Sequence, residues 1–425
     1  MTPPNPDRDP SPSADVLVVG GGVIGLATAW FLARAGLAVR VLEQARVGAA
    51  ASWGNCGLVT PSHADPLTQP GSLRIAAASL TNPDAPFRIA PTLDPRRLAW
   101  FVRFALHCTE THRDRARVAR AALLHSTRQL VEQAIGPEDA GVAWSASGLT
   151  TVYQDPARFD KDVASHEAQR AHGMRFEAWS RDRLLDAEPL VDPRAVGAIH
   201  AAWDGHVDPR GFGQALAMRA REAGADIVEG VGVGGLLVEG GRVVGVQASS
   251  GPIRAAHTVL AAGAWSARLA RQIGVRLPVE PAKGYSITWS QPVPELRTAL
   301  YFYEPKVVAT PWPHGFRLGS TMEFVGHDDT LDHRRIDLLL TGARRYLTHP
   351  LELGEGVRWA GWRPMSVDEV PIIGVPPRRP GLMLACGHGV LGVSQSLATG
   401  RLVSELVTGV VPHVDPAPYH PDRFG

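Results

Sequence analysis

The stretch Val16–Ala33, "VLVVGGGVIGLATAWFLA", decides the fold of this chain. A short run of mostly β-branched residues ends in three consecutive glycines, and a helix-forming segment follows at once. Gly20, Gly22 and Gly25 have the spacing G-x-G-x-x-G. In such a turn the first glycine permits the tight bend, the second lets a pyrophosphate approach the backbone, and the third lets helix and strand pack closely. The stretch therefore predicts a strand, a glycine turn and a helix whose N-terminus binds an anion.

The residues that follow complete a βαβ unit. The helix is expected over Val23–Ala35, Gly36 ends it, and a second strand is expected over Ala38–Leu42. Glu43 closes that strand, where a carboxylate can accept hydrogen bonds from the ribose hydroxyls of a dinucleotide. The unit predicts dinucleotide binding, and an acid at this place argues against the 2′-phosphate of NADP. The alternative is a glycine-rich turn with a solvated Glu43.

The eighteen residues of the same stretch carry no charge, which is also typical of a short membrane segment. The leader before it, "MTPPNPDRDPSPSAD", carries more acid than base, unlike the start of a signal peptide. Three glycines in a row also make a poor membrane helix. We therefore predict neither a spanning nor a secretory segment, and we expect residues 1–14, rich in Pro, Ser and Asp, to be disordered.

Composition excludes several classes of protein. The 425 residues include 20% charged and 44% apolar residues, and the net charge of +1 gives no basic footprint for nucleic acid. Cys56, Cys108 and Cys386 lack the spacing of a disulfide framework or a zinc site, so no metal is expected. A reducing compartment fits them, and a cytoplasmic location is expected.

The order of the predicted elements indicates an α/β fold. Parallel strand–helix pieces occur at the start, after residue 210 and at the end, whereas residues 283–325 resemble antiparallel strands. This alternation predicts two interleaved domains, each discontinuous in sequence. A long helical region is expected over 96–135, and Gly240-Gly241 is expected to turn a hairpin.

Further stretches carry a resemblance to a known family. They are "VGAAASWGNCGLVTPSHADPLTQPG" (47–71), "PAKGYSITW" (281–289), "RLGSTMEFVG" (317–326), "GWRPMSVDEVPIIG" (361–374) and "GHGVLGVSQSLATGRL" (387–402). In this order, over residues 15–411, the chain resembles the D-amino-acid dehydrogenase branch of the D-amino-acid-oxidase-like flavoproteins. That superfamily also holds glycine oxidase and sarcosine oxidase.

The resemblance implies FAD and a particular division of the chain. The implied fold is a Rossmann-like FAD-binding domain interleaved with an antiparallel-sheet substrate domain. The FAD-binding domain is expected over 15–95, 205–280 and 358–412, the substrate domain over 96–204 and 281–357, and a C-terminal tail over 413–425. Some relatives of sarcosine oxidase bind flavin through a cysteine just before the segment that matches "RPMSVDEVPIIG", where this chain has "WAGW". FAD is therefore expected to be non-covalent.

The resemblance and the glycine turn together give a set of cofactor-binding residues. His388 lies between two glycines of "GHGVLG" and is expected to position the cofactor rather than to act as a general base. The predicted set is Gly20, Gly22, Val23, Ile24, Gly25, Glu43, Gln44, Ser52, Asn55, Cys56, Gly57, Leu58, Val233, Ala262, Gly263, Trp265, Gly387, His388, Gly389, Val390, Leu391 and Gly392. Ser52 and Asn55 are expected to donate hydrogen bonds to the cofactor.

Arg363 is the main candidate for substrate binding. It lies in the apolar segment "WAGWRPMSVDEVPIIG" (359–374), which resembles a loop closing onto a strand. By the resemblance its guanidinium binds the substrate carboxylate, and a planar fork suits that role. The alternatives are an ion pair with Asp368 or Glu369, or contacts to backbone carbonyls. Tyr303, Tyr285 and His63 are further candidates; a solvated loop position is the alternative for His63.

The implied reaction is the oxidation of a D-amino acid by hydride transfer from Cα to flavin N5, giving a 2-oxo acid and ammonia. The same fold could act on glycine, sarcosine, a D-proline-like imino acid or a 2-hydroxy acid. Alternatives from other classes are an NAD-binding oxidoreductase and a non-catalytic dinucleotide-binding sensor. The electron acceptor could be oxygen, a quinone or an electron-transfer protein. A quinone would imply peripheral association with the inner membrane, for which the sequence shows no convincing amphipathic anchor.

Overall fold

The computed structural model describes residues 14–82, 84–135, 142–170, 175–348 and 353–424. The predicted leader lies outside these residues except for Ala14, which begins the first strand. The strands, in chain order, are β1 (Ala14–Val19), β2 (Val39–Glu43), β3 (Leu58–Val59), β4 (Phe87–Ile89), β5 (Leu149–Tyr153), β6 (Glu177–Ser180), β7 (Gly197–Ala201), β8 (Gly205–His206), β9 (Asp226–Glu229), β10 (Val233–Glu239), β11 (Arg242–Ala248), β12 (Gly251–Leu260), β13 (Val279–Trp289), β14 (Ala299–Phe302), β15 (Val307–Trp312), β16 (Gly315–Phe324), β17 (Val357–Ser366), β18 (Ile372–Gly374) and β19 (Leu382–Cys386).

The helices pack on both faces of the first of two large sheets or cover the second. They are α1 (Val23–Arg34), α2 (Ala51–Gly54), α3 (Ser72–Thr81), α4 (Pro95–His107), α5 (Glu110–Ala134), α6 (Pro156–Gln169), α7 (Arg181–Ala187), α8 (Pro209–Glu222), α9 (Ser266–Arg271), α10 (His333–Tyr346) and α11 (Gly392–Thr408). Short 3-10 turns follow several strands and helices.

The first large sheet is built around the predicted βαβ unit. β1 lies between β2 and β12 in parallel pairing, and β9 and β19 continue the parallel layer on either side. β12 is long enough to serve two partners, because its first half pairs antiparallel with β11 while its second half joins the parallel layer. Helix α1 is buried against α8 and α11, and Gly400 lets α11 approach the backbone of α1 at Ala27. The predicted glycine hairpin is confirmed, since Gly240 and Gly241 have φ of 54° and 83°.

The second large sheet is mostly antiparallel. Its strand order is β17-β13-β16-β15-β14-β5-β7-β6, and β4 adds to β16. Helices α7 and α10 pack against it, and a core of aromatic and aliphatic side chains lies between. An α/β fold with a parallel sheet and an antiparallel sheet, threaded through each other, is therefore confirmed.

Several elements depart from the pattern read in the sequence. The helical region over 96–135 is two helices, because the Thr109 side chain caps the N-terminus of α5. β4 and β17 lie in the second sheet, although the predicted boundaries place them in the FAD-binding domain. Conversely, α5 packs against α11. Sheet pairing and helix packing are long-range and are not encoded in local patterns, and the domain boundaries stay a prediction.

Candidate active site

A cavity of about 1400 Å3 lies where the two large sheets face each other. One wall carries the glycine turn after β1, the loop around α2 and the segment that opens α11. The other wall carries β13, β14, β16 and β17 of the antiparallel sheet. The predicted cofactor and substrate residues are thus brought to one space, with three exceptions given below.

The glycine turn forms a cradle at the N-terminus of α1. Gly20 has φ of 107°, and a Cβ there would collide with the carbonyl of Ala261. Gly22 begins α1 without a side-chain cap, so the positive end of the helix faces the cavity. Gly25 does not line the cavity, because it lies against the carbonyl of Gly20 and allows helix and strand to pack. The different roles of the three glycines are those expected in a dinucleotide-binding turn.

Glu43 lies beside this cradle at the end of β2. Its Oε2 accepts a hydrogen bond of 2.7 Å from the Gly21 N–H, and its Oε1 accepts one of 2.9 Å from the Ala45 N–H. Glu43 and its neighbour Gln44 both line the cavity. The carboxylate is held in place by the backbone and retains acceptor positions for a ribose hydroxyl.

The loop around α2 supports the turn from the side. The Ser52 hydroxyl accepts a hydrogen bond from the Val23 N–H, at 3.0 Å. The Asn55 amide donates to the carbonyls of Ala51 and Ser52 and accepts from the Gly57 N–H. Asn55 is thus occupied by its own loop and is not the free donor that the sequence suggested. Its role is to fix the loop that carries Cys56 and Leu58 to the cavity wall.

Most of the remaining predicted cofactor residues also line the cavity. They are Ile24, Val233, Ala262, Gly263, Trp265, Gly389, Val390, Leu391 and Gly392. Gly57 and Gly387 do not line it. A Cβ at Gly57 would strike the carbonyl of Val207, and Gly387 packs against Ser366 and Ile372. Both glycines therefore allow the backbone to pass close to neighbouring segments.

His388 lines the cavity but its ring is buried. Its Nε2 lies 2.9 Å from the Thr399 hydroxyl on α11. Burial lowers the pKa of His388 to about 3, so the ring is neutral at physiological pH. A neutral ring tied to α11 suits the positioning role better than the general-base role.

Arg363 lies in β17 and reaches across the neighbouring strand. Arg363 lies opposite Ala282 in the pairing of β17 with β13, so the segment is a strand rather than the loop that the sequence suggested. The guanidinium lies over Gly284, where a Cβ would collide with it. Nη1 donates 2.8 Å to the carbonyl of Thr321, and Nη2 lies 3.5 Å from the carbonyl of Ser320. Both carbonyls are turned toward the arginine by positive φ values, 129° at Ser320 and 51° at Thr321.

The acids next to Arg363 in sequence have other partners. Asp368 accepts hydrogen bonds from Arg423, and Glu369 pairs with Arg120 at 3.0 Å. The structure therefore contradicts an ion pair between Arg363 and either acid. The alternative of backbone carbonyl contacts is observed, but it uses only part of the five N–H donors of a guanidinium.

Within the described ranges, no carboxylate lies within the 4.0 Å of an ion pair from Arg363. Burial lowers the pKa of Arg363, and its side chain lines the cavity. Even a half-buried guanidinium is costly when no anion compensates its charge. The arrangement suits an anion that enters the cavity.

The three other predicted substrate residues line the same cavity. The Tyr285 hydroxyl is occupied, since it donates 2.6 Å to Glu323, which also pairs with Arg88 at 2.9 Å. The Tyr303 ring stacks on Tyr153, with centroids 4.7 Å apart. The phenolic pKa is raised by burial at both Tyr285 and Tyr303, to about 12 at Tyr303.

His63 lies in the cavity wall and not on a solvated loop. Its Nδ1 is 3.1 Å from the Ser62 hydroxyl, and Ser62 donates to the buried Asp204. Burial lowers the pKa of His63 to about 4. The Asp204 carboxyl is itself buried, and this burial raises its pKa to about 7.

Other functional residues were missed by sequence reasoning. Arg317 on β16 is buried and donates from Nη1 to the carbonyls of Trp53 and Asn55, so the antiparallel sheet holds the α2 loop. Trp359, Trp362 and Met365 of β17 form an apolar wall of the cavity. Lys306, in the turn between β14 and β15, also lines the cavity. No local signal separates these residues from ordinary core or surface positions.

Comparisons with known proteins agree with this geometry. The family described as FAD dependent oxidoreductase (DAO) matches residues 15–406. The chain belongs to this family. It is 35% identical to a D-amino acid dehydrogenase of Paramagnetospirillum magneticum, covering 93% of this chain and 95% of that one. It is 30% identical to a D-amino acid dehydrogenase of Bradyrhizobium diazoefficiens, covering 96% and 98%.

Solved structures share the fold. Glycine oxidase from Geobacillus kaustophilus has a TM-score of 0.78 at 24% identity, covering 96% of this chain and 98% of that one. L-proline dehydrogenase from P. horikoshii has a TM-score of 0.76 at 20% identity, covering 97% of each chain. The expected family is thus confirmed.

The protein is therefore an FAD-dependent oxidoreductase, and its residues fit the cofactor. The cradle at Gly20 and Gly22, the N-terminus of α1 and the fixed carboxylate of Glu43 form a site that larger side chains would fill. The segment Gly389–Gly392 presents a second helix start, that of α11, to the same cavity. Cys56 and Cys386 also line the cavity, and burial raises the pKa of both thiols. A neutral thiol is a poor nucleophile, which agrees with non-covalent FAD.

Proposed function

We propose that the protein oxidises D-amino acids to 2-oxo acids and ammonia. The observation that carries the proposal is Arg363, a guanidinium without a carboxylate partner among the described residues, in the cavity that also holds the cofactor cradle. The names of the two curated relatives support an amino-acid donor and the D isomer. Bound FAD supplies the two-electron acceptor for the hydride that leaves Cα.

The residues of the chain contribute binding and orientation. Arg363 binds the substrate carboxylate and so fixes the position of Cα. Trp359, Trp362 and Met365 limit access of water to that side of the cavity. Burial beside a cation favours the neutral amine that oxidation requires, so the ammonium proton leaves on binding without a dedicated base. The imine product leaves the site and is hydrolysed by water to the 2-oxo acid and ammonia.

The test is an anaerobic visible spectrum of the purified holoprotein, before and after addition of D-amino acids and their matched L-isomers. Bleaching of the flavin absorbance by D-isomers supports the proposal. Bleaching only by glycine derivatives, imino acids or hydroxy acids would reassign the substrate. A flavin that none of these compounds reduces contradicts the proposed function. Readmission of air then tests oxygen as the acceptor.

An amino-acid dehydrogenase needs an electron acceptor, and we infer that this acceptor is a quinone reached at a membrane surface. Helix α4 exposes an apolar stripe of Leu98, Val102 and Leu106, with 47%, 60% and 72% of each residue exposed. The opposite face of α4 packs Trp100 and Phe104 into a core, and Phe104 lines the cavity. Leu98 and Val102 both lie outside that core. Both are instead free to contact a partner.

Helix α3 also exposes apolar side chains, and it borders the cavity. Its exposed Leu73 and Ile75 lie beside Ser72 and Arg74, and much of the helix lines the cavity. Arg74 and the exposed Arg96 of α4 supply positive charge that suits anionic lipid headgroups. None of the helices within the described ranges is long and apolar enough to span a membrane. The inferred contact is therefore peripheral.

The membrane proposal can be tested separately. The Val102→Glu and Leu106→Glu double variant should no longer pellet with vesicles that contain phosphatidylglycerol. It should lose activity with a vesicle-borne quinone but keep activity with a soluble dye. Val411→Glu, at an exposed valine after α11, is the matched control. Equal pelleting of the double variant and the parent would contradict a docking role for this surface.

A further inference from the structure

Lys306 occupies an unusual place at the substrate side of the cavity. It lies in the turn between β14 and β15 with φ of 55°, a conformation that is uncommon for a residue with a side chain. Its Nζ lies 3.4 Å from the ring centroid of Tyr303 and 5.6 Å from that of Tyr301. All three side chains line the cavity. The strained turn thus holds an ammonium group against two aromatic faces.

The cations in this part of the cavity lack carboxylate partners. In the part of the chain that the structure describes, neither Lys306 nor Arg158 has a carboxylate within 4.0 Å. Arg158, on α6, instead lies 5.6 Å from the Tyr303 ring centroid. Burial lowers the pKa of Lys306 to about 8, which indicates an ammonium short of compensating contacts.

The acids nearby each accept at least one hydrogen bond from the protein. Asp155 accepts from the N–H groups of Ala157 and Arg158 at the start of α6. Glu304 accepts from the N–H groups of Gln154 and Asp155. Asp162 accepts from the Tyr153 hydroxyl at 3.2 Å. These hydrogen bonds stabilise the turn and the helix start. The three acids line the same cavity, but none lies within 4.0 Å of Lys306 or Arg158, and the buried Oε2 of Glu304 accepts no hydrogen bond from the described residues.

The register of the sheet places Lys306 near Arg363. Lys306 precedes Val307, and Val307 pairs with Ser320 of β16. The carbonyl of Ser320 in turn lies 3.5 Å from the guanidinium of Arg363. Strand β16 pairs with β15, which follows Lys306, and Arg363 reaches across β13 to β16, so both cations lie on the cavity wall formed by the antiparallel sheet. A small molecule with two anionic groups could contact both.

We propose that Lys306, assisted by Arg158, binds a carboxylate on the side chain of the substrate, so that D-amino dicarboxylic acids are preferred. This inference rests on the proposed function, because it assumes that Arg363 binds the α-carboxylate. The rings of Tyr301 and Tyr303 flank the ammonium and restrict it to the cavity side. Lys306 is a specificity-determining residue in this scheme and takes no part in hydride transfer.

The test compares D-glutamate with D-glutamine and D-norvaline in anaerobic flavin reduction by the holoenzyme. The parent enzyme should have a kcat/KM for D-glutamate at least tenfold above that for D-norvaline. In Lys306→Met the KM for D-glutamate should rise about tenfold or more, with kcat and the KM for D-norvaline changed less than about threefold. Lys306→Arg should retain the preference, and Arg221→Met, which removes an exposed charge on α8, should match the parent.

Arg158→Met is a second variant, in case Lys306→Met does not retain FAD, and it should reduce the same preference. The inference is overturned if the parent prefers D-norvaline, or if Lys306→Met raises the KM for both substrates by one factor. Reduction of the flavin by D-norvaline in those cases leaves the proposed function intact. If no D-amino acid of any side chain reduces the flavin, the proposed function fails and this inference fails with it.

Discussion

The guanidinium of Arg363 occupies the space over Gly284 that the side chain of any other residue would fill. The two residues lie on the paired strands β17 and β13, and the arginine crosses the glycine to reach carbonyls on β16. Because Gly284 has no side chain, the Arg363 side chain can extend across it. The position of the proposed carboxylate site depends on this pair.

Gly284→Ala tests that dependence. The new methyl group would displace the guanidinium, so KM for amino acids should rise about tenfold or more while FAD content stays unchanged. Gly213→Ala is the matched control, because a Cβ at that helical glycine meets only ordinary contacts. Steady-state kinetics and the ratio of flavin to protein absorbance provide the measurement. If Gly284→Ala keeps the parental KM, the guanidinium does not need this position.

Arg363→Met should lose substrate binding and keep the cofactor. Removal of a guanidinium that pairs with a carboxylate costs roughly 2–5 kcal/mol, which should appear mainly in KM. Arg358→Met, on the same strand but exposed, should behave as the parent. A combined Gly284→Ala and Arg363→Met variant should be no worse than Arg363→Met alone, since both changes affect one interaction. Additive losses would show that Gly284 acts by another route.

Glu43→Ala should weaken flavin retention. The carboxylate holds the glycine turn through the Gly21 N–H and faces the cavity, and hydrogen bonds to charged groups contribute about 1.5–3 kcal/mol. The Kd for FAD, measured by reconstitution of the apoprotein, should therefore rise about tenfold to a hundredfold. Glu229→Ala is the control on the paired strand β9, where the carboxylate binds the Val47 N–H. Equal FAD affinity in both variants would contradict a cofactor role for Glu43.

Acid should destabilise the protein partly through His206. This buried ring is 2% exposed, lies within 3.0 Å of the carbonyl of Pro311, and has its pKa lowered by burial to about 4. The unfolded chain takes up the proton near pH 6.5 and the folded protein only near pH 4, so stability falls as the pH drops through this window. The full effect is roughly 3 kcal/mol.

His206→Gln should reduce that loss, because an amide can donate to Pro311 without titrating. The melting temperature of the parent should therefore fall more between pH 7.5 and pH 5 than that of His206→Gln. His333→Gln, at an exposed histidine, should leave the pH dependence unchanged. A parallel shift at both pH values would show that His206 contributes through packing alone.

The sequence predicted the parts of the site that local chemistry determines. The turn at Gly20, Gly22 and Gly25 and the acid at Glu43 follow from strand and helix periods and from backbone geometry, and the structure places Gly20, Gly22 and Glu43 in the wall of one cavity. The function of Arg363 was inferred from a resemblance and from the cost of an unpaired guanidinium. Its dependence on Gly284 could not be inferred, because strand pairing joins distant segments.

The tyrosines and Lys306 show the same limit. The sequence suggested a substrate role for Tyr285, but the register of β13 and β16 directs its hydroxyl to Glu323. Lys306 resembles a solvated residue in a turn, and only the packing of Tyr301 and Tyr303 shows that it faces the cavity. On α4 the core face is formed by Trp100 and Phe104, whereas Leu98 and Val102 are exposed.

Arg317 has a consequence for attempts to exchange parts between relatives of this enzyme. It belongs to the antiparallel sheet, yet its guanidinium holds the carbonyls of Trp53 and Asn55 in the loop beside the cofactor cradle. A chimera that imported the antiparallel sheet without a matching loop would leave a buried cation against misplaced carbonyls. We expect such a protein to lose FAD even with every cofactor-contacting residue retained. Successful recombination would have to transfer the loop at 51–58 and the strand at 315–324 together.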